Sequence, residues 1–277
     1  MLKARLLTAL GLFPPAFIIL FVLSEFWFSL MIGMILIIGA WEWIQLSGLE
    51  YSLKSMFLLI TFAGVLVLAY SISITLVPII LGIGCMFWLV AGILVLKYPT
   101  SKKYMANVVL KLSFGLLVMV PTFIGLVSLR QNESHVMLIA LLVSIIWAAD
   151  VGAYFIGTQF GKTKLAPNVS PGKSRIGAFG GLFLALGFGV LTTHWFSLDD
   201  RTMTRNAWFW LIPIIFVTVL FSVLGDLFES LLKREHGVKN SSSLLPGHGG
   251  VLDRIDSLTA ATPVFGLWVN LTGWPVL

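Results

Sequence analysis

Asp226, Glu229 and Ser230 stand at i, i+3 and i+4 in an apolar stretch, a spacing that puts all three on one face of a helix. The C-terminal end of such a helix carries partial negative charge and would add to a site for a cation. The plain alternative is a solvated helix end with Lys233 and Arg234 snorkelling toward water. Further on, the chain reads Pro246-Gly247-His248-Gly249-Gly250-Val251-Leu252-Asp253-Arg254-Ile255-Asp256-Ser257. Glycines such as Gly249 and Gly250 let backbone approach a bound phosphate closely, and Asp253 and Asp256 share one side of a helical start. An aspartate there is most often only an N-cap. Two aspartates with an arginine exceed what a cap needs.

An earlier segment holds Gly161-Lys162-Thr163-Lys164 and Ser170-Pro171-Gly172-Lys173-Ser174. A phosphate-binding P-loop needs a glycine five residues before the second glycine, and Ile156 and Pro167 occupy those places, so neither turn is one. What remains is two small basic turns suited to phosphate or to topology charge alone. Asp150, in Trp147-Ala148-Ala149-Asp150-Val151-Gly152-Ala153-Tyr154, lies inside an apolar run. A carboxylate at membrane depth is costly unless paired, hydrated or metal-bound, which makes it a functional candidate against the alternative of a buried structural partner. His248 could carry a proton or ligate a metal, but no second histidine has zinc spacing and there is no Cys/His cluster. His135, His194 and His236 have no special claim, and the lone cysteine, Cys85, reads as packing.

The elements that must position these residues are membrane helices. Of 277 residues 58% are hydrophobic and 11% charged, against roughly 25% charged in soluble domains. The apolar residues come in runs close to the roughly 20 needed to cross a bilayer as a helix. Nine spans are expected, at about 6–23, 29–46, 56–74, 78–96, 110–129, 137–156, 178–196, 207–228 and 259–276. The first follows Lys3 and Arg5 without a convincing small-x-small cleavage site and is expected to be a retained helix. The fold class is therefore all-α, a polytopic membrane protein forming one membrane-embedded domain over 1–277. Within it, N-terminal helices (1–135) precede a region (136–277) that carries the chemistry.

The net charge of +6 is accounted for by topology and does not require nucleic acid as a partner. With a cytoplasmic N-terminus, every Lys and Arg except Arg130, Arg201 and Arg205 falls on the inner side, as the positive-inside rule asks. The outer side then holds Glu25, Glu133, Asp199 and Asp200. The two longest inner loops, 157–177 and 229–258, are also the richest in Gly, Pro, Ser and charge, and loops of that kind carry function.

Ser230-Leu231-Leu232-Lys233-Arg234, Lys239, Ser242 and Leu245 through Ser257, spaced over 28 residues, closely resemble the signature of the phosphatidate cytidylyltransferases, the CDP-diacylglycerol synthases. Ala40-Trp41-Glu42-Trp43, the segment around Asp150, and Lys164-Leu165-Ala166-Pro167 through Ser174 resemble the bacterial members. Departures stand at Asn240, where the family has Asp, and at Arg175 and Ile176, where it has Trp followed by an acidic or amide residue.

The resemblance implies an all-helical homodimer in a bacterial inner membrane, active at the cytoplasmic face. It implies Mg²⁺ as cofactor, with a monovalent cation such as K⁺ as a further option, and CTP, phosphatidic acid and membrane lipids as partners. Carried over by position, Asp226 and Asp253 are the metal carboxylates, with Ser230 and Asp256 beside them. Lys233, Arg234, Lys239, His248 and Arg254 complete the catalytic set, and Asp150, Ser170, Lys173, Ser174, Gly249 and Gly250 face the substrates. The attacking phosphomonoester, with a second pKa near about 6, is already ionised at neutral pH, so charge neutralisation matters more than a general base. The rival readings are a CTP-dependent lipid kinase of the polyprenol type, a catalytically retired paralogue, and a transporter using Asp150 as a relay. Against a transporter, the charges cluster in loops on one face instead of lining several spans near the midplane.

Overall fold

Backbone amides inside hydrocarbon have no water to bond, so each apolar run satisfies them internally as a helix. The computed structural model describes residues 11, 13–49, 52–199 and 204–275. Its helices are α1 (Phe13–Val22), α2 (Glu25–Leu46), α3 (Leu53–Tyr70), α4 (Val77–Leu96), the short α5 (Lys102–Met105), α6 (Val108–Gln131), α7 (His135–Phe160), α8 (Arg175–Asp199), α9 (Arg205–His236) and α10 (Leu252–Thr272). Seven described helices, α2 to α4 and α6 to α9, are long and apolar enough to cross a membrane. The α10 helix has 21 residues but carries Asp253, Arg254 and Asp256 in its first turns. Lys3, Arg5, Asp200 and Arg201, used above as topology signals, and the start of the first expected span lie outside the described residues.

Two helices run beyond their apolar spans and one loop is more ordered than expected, each for a physical reason. Apolarity fails at Asp226, yet α9 runs to His236 because Phe228, Leu231 and Leu232 stay buried and Glu229 pairs with Lys233 one turn on. It stops at Gly237, which takes the left-handed conformation (φ 76°) of a helix C-cap. At the other edge of this loop, α10 begins at Leu252, so the helical start expected at Asp253 and Asp256 is continuous with the apolar span from 259, its charged first turn held by protein partners described below. The earlier loop is also more ordered than predicted. Between α7 and α8 it folds into an antiparallel hairpin, β1 (Lys164–Ala166) with β2 (Ser170–Ser174), pairing Lys164 with Ser174 and Ala166 with Ser170. The fold is all-α apart from this hairpin.

The α10 helix sits centrally, packed on α9, α6, α4, α7 and α2, while α7 and α8 form the most extensive pair. Without a hydrophobic drive between helices in lipid, close packing holds them together. Gly225 allows the α9–α10 approach: a Cβ there would lie 3.0 Å from Ala260 Cβ. Phe228 is fully buried, with the rings of Phe87, Trp88, Phe114 and Trp43 centred 5.7, 5.8, 6.2 and 6.2 Å away. This cluster fixes the rotation of α9, and with it the direction of Asp226 and Glu229 on either side of Phe228.

Candidate active site

One end of the bundle gathers the C-terminal ends of α2, α4 and α9, the hairpin, the 237–251 loop and the start of α10. Lys173 of β2 reaches across to Asp226 of α9, Nζ to Oδ2 2.6 Å. Ser230 Oγ donates to Asp226 Oδ1 at 3.3 Å. One turn on, Lys233 bridges Glu229 of its own helix and Asp253 of α10, at 2.6 Å from Asp253 Oδ1. Asp253 Oδ2 accepts Gly250 N–H at 2.8 Å, Ser241 N–H at 2.9 Å and Ser241 Oγ at 3.0 Å. The backbone therefore wraps the carboxylate, and only glycine fits beside it: at Gly249, whose φ is +83°, a Cβ would lie 2.5 Å from Asp253 Oδ2.

Outside this knot the loop forms a cleft of about 730 Å³ lined by Lys239, Asn240, His248, Gly249 and Arg254 among others. Lys239 and Arg254 are exposed in it, and His248 Nδ1 is buried without a hydrogen-bond partner. Two cations, a glycine turn and an imidazole make a cradle for phosphate. Asp256, two residues beyond Arg254, accepts Ser257 N–H at 2.7 Å.

The remaining predicted residues divide. Asp150 is exposed on α7 and within electrostatic reach of Lys173, Asp226 and Arg254, so it belongs to this end. Ser174 is buried and accepts Gly177 N–H at 3.1 Å, capping α8. Ser170 opens β2, paired with Ala166 across the hairpin. Arg234 Nε donates to Val169 O at 3.2 Å, so this guanidinium ties α9 to the hairpin. Glu229 was noticed on the helical face but left out of the predicted site; its side chain is 3% exposed, and its Oε1 has no hydrogen-bond partner.

Two contributors from the N-terminal helices escaped the sequence reading of the site. Tyr98 donates its hydroxyl to Glu235 at 2.9 Å, a bond that holds the phenol above its ordinary range. Glu42 of α2 is fully buried and contacts the 241–252 segment. A carboxylate within an apolar run was the available signal.

Among the described residues no group of three or more His, Cys, Asp and Glu side chains is drawn together as a ready-made metal site. The donor set nonetheless suits a hard divalent cation. Mg²⁺ is usually held by one or two carboxylates plus substrate phosphates. Asp226 is 31% exposed, with a lysine ammonium on Oδ2, and Glu229 Oε1 is a buried acceptor awaiting a donor or cation.

A membrane-embedded site that collects carboxylates, lysines and a glycine-rich phosphate cradle defines an enzyme handling polyanions at the edge of a bilayer. Comparison with known proteins narrows that class. The model of the cytidylyltransferase family matches residues 3–272. A Pseudomonas aeruginosa protein named phosphatidate cytidylyltransferase is 42% identical over 276 residues, covering 99% of each chain. One of the same name from Haemophilus influenzae is 42% identical over 283 residues, covering 96% of this chain and 97% of the relative. A Staphylococcus aureus relative, also so named, is 41% identical over 138 residues, half of each chain. This chain belongs to the cytidylyltransferase family and is a nucleotidyltransferase.

Proposed function

We propose that this protein transfers the cytidylyl group of CTP to phosphatidic acid, giving CDP-diacylglycerol and pyrophosphate. The observation that carries the proposal is the juxtaposition of the Lys173–Asp226 and Lys233–Asp253 pairs with the cleft lined by Lys239, His248 and Arg254. Full-length similarity to proteins named for this reaction supports it.

A phosphatidate phosphate oxygen attacks the α-phosphorus of CTP, a new P–O bond forms, the α–β P–O bond breaks, and pyrophosphate leaves with its electron pair. No proton need be removed from an already ionised phosphate. The obstacle is charge, and the protein meets it by positioning cations. Lys239 and Arg254 hold the nucleotide phosphates in the cleft. Lys173, on the hairpin, faces the lipid phosphate, and Asp150, on α7 within electrostatic reach of Lys173 and Arg254, orients those cations. Asp226 and Asp253 would hold Mg²⁺, which supplies charge neutralisation on the phosphate oxygens. Lys173, partly exposed at Asp226, would also meet the phosphates, while Lys233 stays between Glu229 and Asp253 and holds the site together.

The same reading puts this end in the cytoplasm, where CTP is found, with the protein in the bacterial inner membrane as a homodimer. The distribution of Lys and Arg supports that orientation.

Purified protein in detergent with Mg²⁺, CTP and phosphatidic acid tests the proposal through its products. A liponucleotide with pyrophosphate is expected. CDP with a newly phosphorylated lipid would mean a lipid kinase, and no product from folded protein would mean a retired paralogue.

A further inference from the structure

Glu42 lies in α2, far in sequence from the residues discussed so far, and is fully buried. Its two oxygens take four donors. Oε1 accepts Ser242 Oγ–H at 2.6 Å and Val251 N–H at 2.9 Å; Oε2 accepts Leu252 N–H at 2.6 Å and shares with Asp253 the one hydroxyl proton of Ser241, whose Oγ lies 2.9 Å away. Among the described residues no lysine or arginine pairs with it. The positive end of the α10 dipole and its free amides take the place of a counter-ion. Against the same carboxylate lies Gly250, where a Cβ would stand 2.5 Å from Oε1 and 2.6 Å from Oε2. Ser241 Oγ lies between Glu42 and Asp253, 2.9 Å from the one and 3.0 Å from the other, so a single hydroxyl links the buried carboxylate to the site carboxylate.

A helix N-terminus could have been capped by any local Ser or Asp. Here the cap comes from another helix and closes both ends of the 241–252 segment at once, the segment that carries His248, Gly249 and Asp253. We infer that Glu42 is a positioning residue for cytidylyl transfer: it holds the nucleotide cleft and the start of α10 in working geometry from the N-terminal helices. All four partners are donors, so the site requires an acceptor on both oxygens. Glutamine keeps the shape but turns an NH₂ toward two of those donors.

This inference rests on the proposed reaction, and two readouts separate their fates in full-length protein in detergent. In Glu42→Gln, amide hydrogen exchange across residues 241–252 should rise selectively over the membrane helices, with membrane insertion retained and the fall in thermal midpoint no larger than that of Asp253→Asn. The kcat/KM for CTP should fall about 10- to 100-fold, the scale of a misplacement of about 1 Å near a reacting centre, with KM for phosphatidic acid unchanged. Ser242→Ala, which removes one donor and leaves the carboxylate, should shift both readouts the same way by less, and decides the matter if Glu42→Gln does not fold. Unchanged exchange across 241–252, or losses for CTP and lipid alike that track only the folded fraction, would overturn the inference. If wild type makes no liponucleotide, the proposed function fails while the exchange experiment still decides what Glu42 holds.

Discussion

The two lysine–aspartate pairs have nearly the same geometry, 2.6 Å in each case, in different surroundings. Lys173 and Asp226 are 26% and 31% exposed, and among the described residues Asp226 has Ser230 as its one further hydrogen-bond partner. Lys233 and Asp253 are 12% and 7% exposed, share Glu229, and are laced into the 241–250 backbone. An exposed pair is worth little on its own, whereas breaking a buried one leaves a charge uncompensated. The difference teaches which carboxylate is free to exchange partners. Asp226 can trade its lysine for a metal at small structural cost. Asp253 must keep holding its loop while it does anything else.

The largest effects should fall on turnover. Asp226→Asn and Asp253→Asn are each expected to lower CDP-diacylglycerol formation beyond about 10³-fold, since each removes charge at the centre of the site. They should part on stability: thermal unfolding in detergent shows Asp226→Asn within about 1 kcal/mol of wild type and Asp253→Asn clearly below it. Equal stability in the two variants would erase the distinction drawn above.

Next in size is Lys233→Met, which strands Glu229 and Asp253 without their cation and should cost roughly 3 to 5 kcal/mol by chemical or thermal unfolding. Lys173→Met, at the exposed pair, should unfold like wild type and instead raise the KM for CTP or phosphatidic acid about tenfold, or about 1.4 kcal/mol. Swapped outcomes would reverse the roles of the pairs.

Smaller still is Asn240→Asp. The side chain is exposed beside Lys239 at the cleft, and restoring the acid should leave steady-state activity equal or higher, by up to about fivefold. Wild type that is inert until Asn240 becomes Asp would identify a retired enzyme. Smallest is Tyr98→Phe, expected to cost about 1 kcal/mol of stability through the lost bond to Glu235, with kcat unchanged.

The helices were legible because the bilayer demands long apolar runs, and Asp226 and Asp253 because they sit on one helical face and beside one glycine turn, whereas Lys233 reads alone as snorkelling charge and joins the site only through the family resemblance. Hydropathy alone stops at 228 and resumes at 259, since it cannot tell a solvated residue from one paired inside the protein; the side-chain spacing at 226–230 and 253–256 is what carries α9 and α10 beyond those limits. The hairpin was invisible for a related reason: Pro171 and Gly172 read as loop, and only pairing with 164–166 makes 170–174 a strand. Glu42, within Ala40-Trp41-Glu42-Trp43, gives no sign of its role in sequence, because its partners lie about 200 residues away. Ser174 shows the opposite case, a plausible phosphate ligand by composition that serves as the cap of α8.

Manganese binding followed by electron paramagnetic resonance tests most directly whether Asp226 exchanges its lysine for a metal. With CTP present, wild-type protein in detergent is expected to bind Mn²⁺ at stoichiometric level, and Asp226→Asn, folded to the same thermal midpoint, to lose that binding. Undiminished CTP-dependent Mn²⁺ binding in Asp226→Asn would contradict the account.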